Sequence, residues 1–194
     1  MKLAVVIAST REERAGPVIA DWFIERARAH GKFEQGKLEI ERIDLKELAL
    51  PMLEEPAHPR LRQYKYPHTK AWSATVDGAD AFVFVTPEYN YAMPPALLNA
   101  IDYVLHEWAY KPAAFVSYGG LSGGTRSVQM AKQVLTSVRV MPIPEAIALP
   151  FYSKLIGPDG KLAPGDSADK SAAALLDELL RWAEALAPMR ATRR

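Results

Sequence analysis

The chain has 194 residues, of which 49% are hydrophobic and 24% charged, and its 24 basic and 23 acidic residues give a net charge of +1. This length and composition are typical of a globular protein with one substantial core. The balanced charge argues against a nucleic-acid-binding protein, whose surface carries a strongly basic face. We interpret the basic cluster of Arg190, Arg193 and Arg194 as a solvated, frayed tail.

The sequence contains no cysteine, which excludes disulfides, thiolate catalysis and cysteine-ligated metal sites. This composition fits a cytoplasmic protein. The apolar run at residues 3–8 is too short for a signal peptide, and no segment is long enough to span a bilayer, so no membrane partner is expected. The four histidines lack the spacing of a metal site, so no metal is expected.

Apolar runs alternate with helical patterns along the chain, and we interpret the runs as the strands of one sheet. The predicted strands cover residues 3–8, 38–43, 81–85, 113–117 and 140–149. The first, third and fourth are continuously apolar, which is typical of strands buried on both faces. The second alternates between apolar and polar residues, as an edge strand does, and Pro142 and Pro144 favour an edge position for the last.

Between the strands, apolar residues recur at helical spacing. Helices are predicted over residues 17–30, 69–76, 97–108 and 128–138, and a final helix carries Leu175, Leu179 and Leu186. The proline-rich segment 48–68 is predicted to be irregular. No repeat or linker interrupts this pattern, so we predict a single domain over residues 1–194.

Five strands separated by helices predict an α/β fold with a parallel sheet and helices on both faces, because crossovers return the chain over each face. For this length the flavodoxin-like strand order 2-1-3-4-5 is the strongest candidate. In that order the first, third and fourth strands are neighbours, and ligands bind beyond their carboxyl ends. We therefore expect the loops after these three strands to meet at one site.

The first loop, STREERAGP at residues 9–17, combines hydroxyls, cations and a helix start. Ser9 and Thr10 offer hydroxyls, Arg11 and Arg14 offer guanidinium groups, and the helix N-terminus offers free N–H groups. This combination suits a phosphate group. The alternative is a solvated turn in which a serine caps the helix.

The second loop, PEYNYAMPP at residues 87–95, is predicted to be a rigid arch. Residues before proline avoid the helical region, which makes Thr86 and Met93 extended, and Pro94 and Pro95 suit the first turn of a helix. The arch carries four aromatic or hydrogen-bonding residues: Glu88, Tyr89, Asn90 and Tyr91. Such a surface suits a flat, polar heterocycle. The alternative is a stiff turn whose tyrosines pack on their neighbours.

The third loop, SYGGLSGGTR at residues 117–126, has four glycines, which is more than a strand-to-helix turn needs. Glycine lets the backbone approach a ligand closely, and the alternative is a tight turn alone. Residues 120–124 also match the G-x-S-x-G nucleophile elbow of α/β-hydrolases. In those enzymes the histidine follows the serine, whereas all four histidines here precede Ser122, so a hydrolase is a remote alternative.

Three stretches together resemble the NAD(P)H-dependent FMN reductases, a flavodoxin-like family that includes quinone and azo reductases. They are PEYNYAMPPALLNAIDYV, ASTREERAG and SYGGLSGGTR, and the resemblance covers roughly residues 3–150. It implies an enzyme that binds FMN and passes electrons from NADPH or NADH to FMN, a quinone, an azo dye or a similar small molecule. The chain departs from the family pattern at Ala8, Pro95 and Leu98.

The resemblance also implies which residues contact the cofactor. The first loop would hold the FMN phosphate with Ser9, Thr10, Arg11, Gly16, Pro17 and Val18. The second would line the ribityl chain and ring with Pro87, Glu88, Tyr89 and Asn90. The third would border the other edge of the ring with Ser117, Tyr118, Gly119 and Gly120. Because the flavin carries the chemistry, no catalytic side chain is expected.

Two further expectations concern the co-substrate and the alternative function. Arg14 or Arg126 is expected to meet the 2′-phosphate of NADPH. The main alternative is a flavodoxin-type electron carrier, which holds FMN without using a pyridine nucleotide. Such carriers are strongly acidic, whereas this chain is balanced.

The helix after the arch carries more large apolar residues than one buried face requires. Ile101, Val104 and Leu105 suffice to cover the sheet, which leaves over Tyr103, Trp108 and Tyr110, beside Met93 and Tyr91. Aromatic residues and methionine are enriched at interfaces, and the resembled family forms dimers with the flavin near the interface, so a homodimer is predicted. The alternative is that these rings cover the monomer's own core beneath residues 51–67.

Overall fold

The structure, a computed structural model, describes residues 1–192 and contains a five-stranded parallel sheet. The strand order is β2-β1-β3-β4-β5, which confirms the predicted flavodoxin-like topology. The strands are β1 (Lys2–Ile7), β2 (Glu39–Asp44), β3 (Ala81–Pro87), β4 (Pro112–Gly119) and β5 (Met141–Pro150). Because all neighbouring pairs are parallel, the carboxyl ends of the strands lie at one edge.

Helices follow the strands and lie close to most of the predicted ranges. They are α1 (Gly16–Arg28), α2 (Gly31–Glu34), α3 (Leu45–Leu48), α4 (Pro67–Gly78), α5 (Pro95–Asp102), α6 (Thr125–Ser137) and α7 (Asp166–Ala191). Within residues 1–192, no helix combines the length and the apolar character that crossing a bilayer requires.

The helix predicted over residues 97–108 is shorter than expected, because α5 ends at Asp102 and a separate 3-10 turn follows. The chain turns so that the indole N–H of Trp108 donates to the Ile101 carbonyl at 3.1 Å. That carbonyl belongs to the last turn of α5, where backbone acceptors have no partner within the helix. A side chain therefore completes the helix end.

The sheet separates two hydrophobic cores. Leu3, Val5 and Ile7 of β1 belong to the core under α1 and α7, while Ala4 and Val6 belong to the core under α4, α5 and α6. Every residue of β3 is buried, which is why its sequence is continuously apolar. Burial alternates along β5, because that strand lies at the edge, as its prolines predicted.

The aromatic residues after α5 belong to the second core, contrary to the prediction that they are left over. Tyr103 and Trp108 are fully buried, and Met93 is nearly so. The Tyr103 hydroxyl donates to the Pro51 carbonyl at 3.1 Å. The alternative is therefore correct in that these three residues belong to the monomer's own core, and Tyr103 lies there against the segment 51–67.

The C-terminal helix α7 is anchored at its end. Its buried residues are Ala172, Leu175, Leu176, Leu179, Leu180 and Ala183. The predicted stripe residue Leu186 is only half-buried. The side chain of Arg190 is 11% exposed and pairs with Asp80 at 3.0 Å, so the prediction of a frayed tail is wrong at this residue. Arg193 and Arg194 of that predicted tail lie outside the described residues.

Candidate functional site

A cavity of about 300 Å³ opens where β1, β3 and β4 end. This volume lies at the lower end of the range for small-molecule sites. Its wall includes seven predicted cofactor contacts: Arg11, Pro87, Glu88, Tyr89, Tyr118, Gly119 and Gly120. The loops after three neighbouring strands therefore meet, as the strand order predicted.

The other predicted contacts do not form part of this wall. They are Ser9, Thr10, Gly16, Pro17, Val18, Asn90 and Ser117. Thr10 and Asn90 are exposed, and Val18 lines a separate cavity between α1 and the segment before α7. Ser117 is buried, and its hydroxyl donates to the Gly123 carbonyl at 2.8 Å. Ser117 therefore shapes the third loop.

The start of α1 places two buried hydroxyls together. A Cβ at Gly16, the first residue of α1, would lie 2.3 Å from Ser9 Oγ and 3.1 Å from the Tyr118 hydroxyl, so only glycine fits there. The two hydroxyls face each other, and neither has another hydrogen-bond partner within residues 1–192. The helix cap is Ala15, without a side-chain hydrogen bond, so the serine-capped alternative is wrong. A buried polar group without a partner costs about 1–3 kcal/mol, so this arrangement indicates a polar ligand.

The two arginines of the first loop differ in whether they form an ion pair within the chain. Arg14 donates to both Asp44 carboxylate oxygens, at 2.6 and 2.8 Å, and to the Ser9 carbonyl at 2.6 Å. Burial raises the pKa of Asp44, but hydrogen bonds from Arg14 and the Lys46 amide outweigh it, so the net pKa is lowered. Arg14 is thus committed to Asp44, against the expectation that it meets the NADPH 2′-phosphate. Arg11 is exposed on the cavity wall and forms no ion pair within the described residues, which leaves it available to an anion.

The second loop contains a tight two-residue turn. Tyr89 and Ala92 exchange two backbone hydrogen bonds of 3.0 Å. The residues between them, Asn90 (φ 51°) and Tyr91 (φ 70°), are both left-handed, which is characteristic of a type I′ turn. The predicted rigid arch is therefore built on backbone hydrogen bonds as well as on prolines. The turn presents Tyr89 on the cavity wall.

Glu88 joins the second loop to the third. Its side chain is 7% exposed. The carboxylate accepts hydrogen bonds from Ser122 Oγ at 2.9 Å, from Arg126 Nε at 2.6 Å and from the Arg126 amide at 3.1 Å. Burial raises the pKa of Glu88, but these hydrogen bonds outweigh it, so the net pKa lies below its ordinary value of 4.5. Glu88 is therefore an ionised link between the two loops.

Three of the four glycines in the third loop are required by its own backbone. Gly123 and Gly124 have φ values of 59° and 84°, and a Cβ at Gly124 would lie 2.8 Å from the Tyr118 backbone. A Cβ at Gly119 would lie 3.2 Å from the Gly124 amide nitrogen. Of the four, only Gly120 has open space around it, and it lines the cavity. The sequence predicted that the loop has more glycines than the turn needs, and the structure shows that only one of them, Gly120, is not required by the turn.

The segment after β5 forms a fourth wall that the sequence interpretation missed. Phe151, Tyr152 and Ser153 line the cavity, and Tyr152 packs edge-on against Tyr118 with ring centroids 5.0 Å apart. The Phe151 amide donates to the Gly120 carbonyl at 3.2 Å, which ties this wall to the third loop. The signal was available, because two aromatic residues follow a strand whose carboxyl end lies at the same edge. The first loop also adds Glu13, Arg14 and Ala15 to the wall.

The geometry does not support the hydrolase. The Ser122 hydroxyl is bound to Glu88, and none of the hydrogen bonds or ion pairs formed by the four histidines involves it. Within residues 1–192, no group of three or more histidine, aspartate or glutamate side chains could hold a metal ion. The cavity wall instead carries the Tyr118 hydroxyl and Arg11, and the start of α1 lies beside it, so the donors suit a phosphorylated ligand.

The sequence matches the family described as NADPH-dependent FMN reductase over residues 1–154. The chain belongs to this family. It is 40% identical over 152 residues to an NAD(P)H-dependent FMN reductase of Schizosaccharomyces pombe, covering 77% of this chain and 74% of that protein. It is also 30% identical over 190 residues to a quinone reductase of Pseudomonas putida, covering 93% of each.

The fold is likewise shared with solved structures. A flavoenzyme NAD(P)H:(acceptor) oxidoreductase from Paracoccus denitrificans superposes with a TM-score of 0.72 at 22% identity, covering 95% of this chain and 97% of that one. As an FMN reductase family member, the chain is an NAD(P)H-dependent flavin oxidoreductase, which confirms the predicted enzyme class, FMN and the pyridine-nucleotide co-substrate. The flavodoxin-type carrier is less well supported.

Proposed function

We propose that the cavity at the carboxyl edge of the sheet binds FMN with its phosphate at the first loop. The observation that carries this proposal is the pair of buried hydroxyls, Ser9 and Tyr118, which face each other beside the first turn of α1 and have no other partner within residues 1–192. The Gly16 and Val18 amides and the Arg11 guanidinium complete the set of donors, while Pro17 has no N–H to offer. A phosphate dianion would satisfy these donors together.

The flavin ring is assigned to the second and third loops. Tyr89 and Gly120 line the cavity from opposite loops, and Gly120 leaves room for a planar ring to approach the backbone. Asn90 lies at the tip of the turn. The indirect role of Ser117 is to hold the third loop through the Gly123 carbonyl. The side chains thus bind and orient, and none is required as an acid or a nucleophile.

Bound FMN supplies the redox chemistry, which is acceptance of a hydride from NADPH or NADH and transfer of electrons to an acceptor. The protein's part is to hold the ring rigidly with one face accessible to both substrates. The Schizosaccharomyces pombe and Pseudomonas putida relatives are named for FMN and quinone reduction, which supports FMN and quinones as acceptors here. Azo dyes are proposed only from the family resemblance.

An acceptor screen tests the proposed reaction. We expect the purified protein to oxidise NADPH or NADH when FMN, a naphthoquinone or an azo dye is present, with the parallel double-reciprocal plots of a ping-pong mechanism. Hydrolysis of a p-nitrophenyl ester, measured on the wild type and on Ser122→Ala, serves as the control for the remote alternative. No oxidation of either nucleotide with any acceptor would contradict the enzyme assignment.

We also propose a homodimer, although the aromatic residues after α5 that predicted it from the sequence do not support it. Tyr103 and Trp108 are buried in the monomer and cannot form an interface, and Tyr110 is half-buried. The most exposed large apolar side chains in the segment 51–67 and in the second and third loops are instead Met52 (75% exposed), Leu61 (51%), Tyr91 (70%) and Leu121 (84%). Exposed apolar side chains mark a site of association where they form one patch, and we assign these four to such an interface.

Light scattering tests the dimer. We expect the wild type at micromolar concentration to have twice the monomer mass of 21.5 kDa. Met52→Glu is expected to shift the protein toward the monomer, whereas Met189→Glu, on the outer surface of α7, serves as the control. A monomeric wild type with full activity would contradict this proposal. The single FMN-binding domain over residues 1–194 and the cytoplasmic location also remain proposals, which limited proteolysis and cell fractionation would test.

A further inference from the structure

Tyr91 has a backbone conformation that is unfavourable for its residue type. Its φ of 70° is left-handed, where a Cβ collides with the neighbouring carbonyl. Asparagine tolerates this conformation, so Asn90 suits its place, but the second central position of such turns is usually glycine. A contact from outside the turn is therefore needed to hold Tyr91.

Arg126 provides that contact. The central carbon of its guanidinium lies 3.8 Å from the centroid of the Tyr91 ring, well within the range of a cation–π interaction. Tyr91 is 70% exposed, and the Arg126 side chain is 48% exposed. The stack therefore lies on the surface and holds the turn from its outer side.

Arg126 is itself fixed by the residue that precedes the turn. Its Nε and Nη2 atoms lie 2.6 and 2.5 Å from Glu88 Oε1, and its backbone amide donates to Oε2. Glu88 is directly followed by Tyr89, the first residue of the turn. Arg126 therefore contacts the second loop on both sides of Tyr89, through Glu88 before it and through Tyr91 after it.

We propose that Arg126 is a positioning residue that holds the turn 89–92 in its left-handed conformation and so fixes Tyr89 on the cavity wall. The inference rests on the proposed function, in which this turn contacts FMN. It replaces the expectation that Arg126 meets the 2′-phosphate of NADPH. Two of its three guanidinium nitrogens contact Glu88 and its face covers Tyr91, so little of the group is left for a ligand.

The first test is FMN affinity, measured by quenching of flavin fluorescence. We expect Arg126→Ala to weaken FMN binding by about tenfold. The contact with Arg126 offsets the conformational cost of the left-handed Tyr91, and this cost is no longer offset when the contact is removed. The amide of residue 126 still donates to Glu88 in this variant, so the carboxylate keeps two donors. Arg181→Ala, which removes an exposed arginine of α7, is the matched control and should leave FMN affinity unchanged.

The second test is a rescue that only a role through the turn allows. Glycine adopts a positive φ without strain, and Asn-Gly is the preferred sequence of a type I′ turn. We expect Tyr91→Gly in the Arg126→Ala background to restore FMN affinity to within about twofold of the wild type. Loss without rescue would mean that Arg126 contacts a ligand directly, and no loss at all would mean that it does not position the turn. Either result overturns the proposal.

A third measurement on the protein without FMN separates this inference from the proposed function. The Ala92 amide donates to the Tyr89 carbonyl across the turn. We expect its hydrogen exchange to be faster in Arg126→Ala and slow again in the double variant. A wild type that does not bind FMN would overturn the proposed function while leaving this exchange result to decide the role of Arg126. Equal exchange rates in the wild type and Arg126→Ala would overturn the positioning role.

Discussion

The two ends of the sheet differ in how their polar groups are satisfied. At the amino end, the fully buried Lys111 precedes β4 and donates to the Val76 and Asp77 carbonyls at the end of α4, at 2.5 and 2.9 Å. Arg190 from the distant C-terminal helix pairs there with Asp80. These cations have partners within the chain and stabilise the fold.

At the carboxyl end, the chain leaves donors without partners. Ser9 Oγ and the Tyr118 hydroxyl are buried with no hydrogen-bond partner within residues 1–192 other than each other, and Arg11 forms no ion pair there. The amino end shows that this fold can satisfy a buried cation from its own backbone. The difference therefore marks the carboxyl end as the place where a ligand supplies the missing acceptors.

The largest expected effect is a loss of folding stability when the buried lysine at the amino end of the sheet is replaced. Lys111→Met should lower the free energy of unfolding by about 3 kcal/mol, because the carbonyls at the end of α4 lose a charged donor. FMN affinity should not change. Urea denaturation and flavin titration measure the two quantities, with Lys170→Met, at an exposed position of α7, as the control. A parallel loss of FMN affinity in the folded variant would show that the ends are not independent.

Two buried serines provide the next comparison. Ser9→Ala should change the stability of the FMN-free protein little, since its hydroxyl faces only the Tyr118 hydroxyl among the described residues, and should weaken FMN binding about fivefold. Ser117→Ala should instead destabilise the FMN-free protein, because its hydroxyl is bonded to the Gly123 carbonyl. Thermal unfolding without FMN distinguishes them. Equal destabilisation by both substitutions would contradict the assignment of Ser9 to a ligand.

The smallest effect concerns pH. The net pKa of Glu88 is lowered in the folded protein, because hydrogen bonds from Arg126 and Ser122 outweigh burial. A lowered pKa gives a stabilisation that is fully present above the ordinary value of 4.5 and is lost as pH falls through the lowered value. The stability difference between the wild type and Glu88→Gln should therefore shrink in acid below that value. A difference that is constant with pH would show that the charge of Glu88 contributes nothing.

The buried strands could be predicted from the sequence, because continuous apolar runs such as residues 81–85 identify them. Their order could be predicted only as the strongest candidate for five strands in a chain of this length, and the meeting of the three loops followed from that order. The burial of Tyr103 could not, since its hydroxyl bonds to the Pro51 carbonyl in the irregular segment 51–67, whose path no periodicity describes. Trp108 packs on Trp72, Phe82 and Phe84, which are distant in sequence and meet it only in the fold. The wall at Phe151 was not predicted because it follows the edge strand β5, which does not flank the switch point between β1 and β3. The different roles of Arg11 and Arg14 could not be predicted either. Arg14 is paired with Asp44, which is distant in sequence and close only in the fold, whereas Arg11 has no such partner within residues 1–192.

Binding of FMN compared with riboflavin tests the central claim most directly, because the two differ only in the phosphate. The wild type should prefer FMN, and Arg11→Ala should reduce that preference about 10- to 100-fold while leaving riboflavin affinity unchanged, as loss of a charged hydrogen bond implies. Arg28→Ala, which removes an exposed arginine at the other end of α1, is the control. An undiminished preference for FMN in Arg11→Ala would contradict the placement of the phosphate at the first loop.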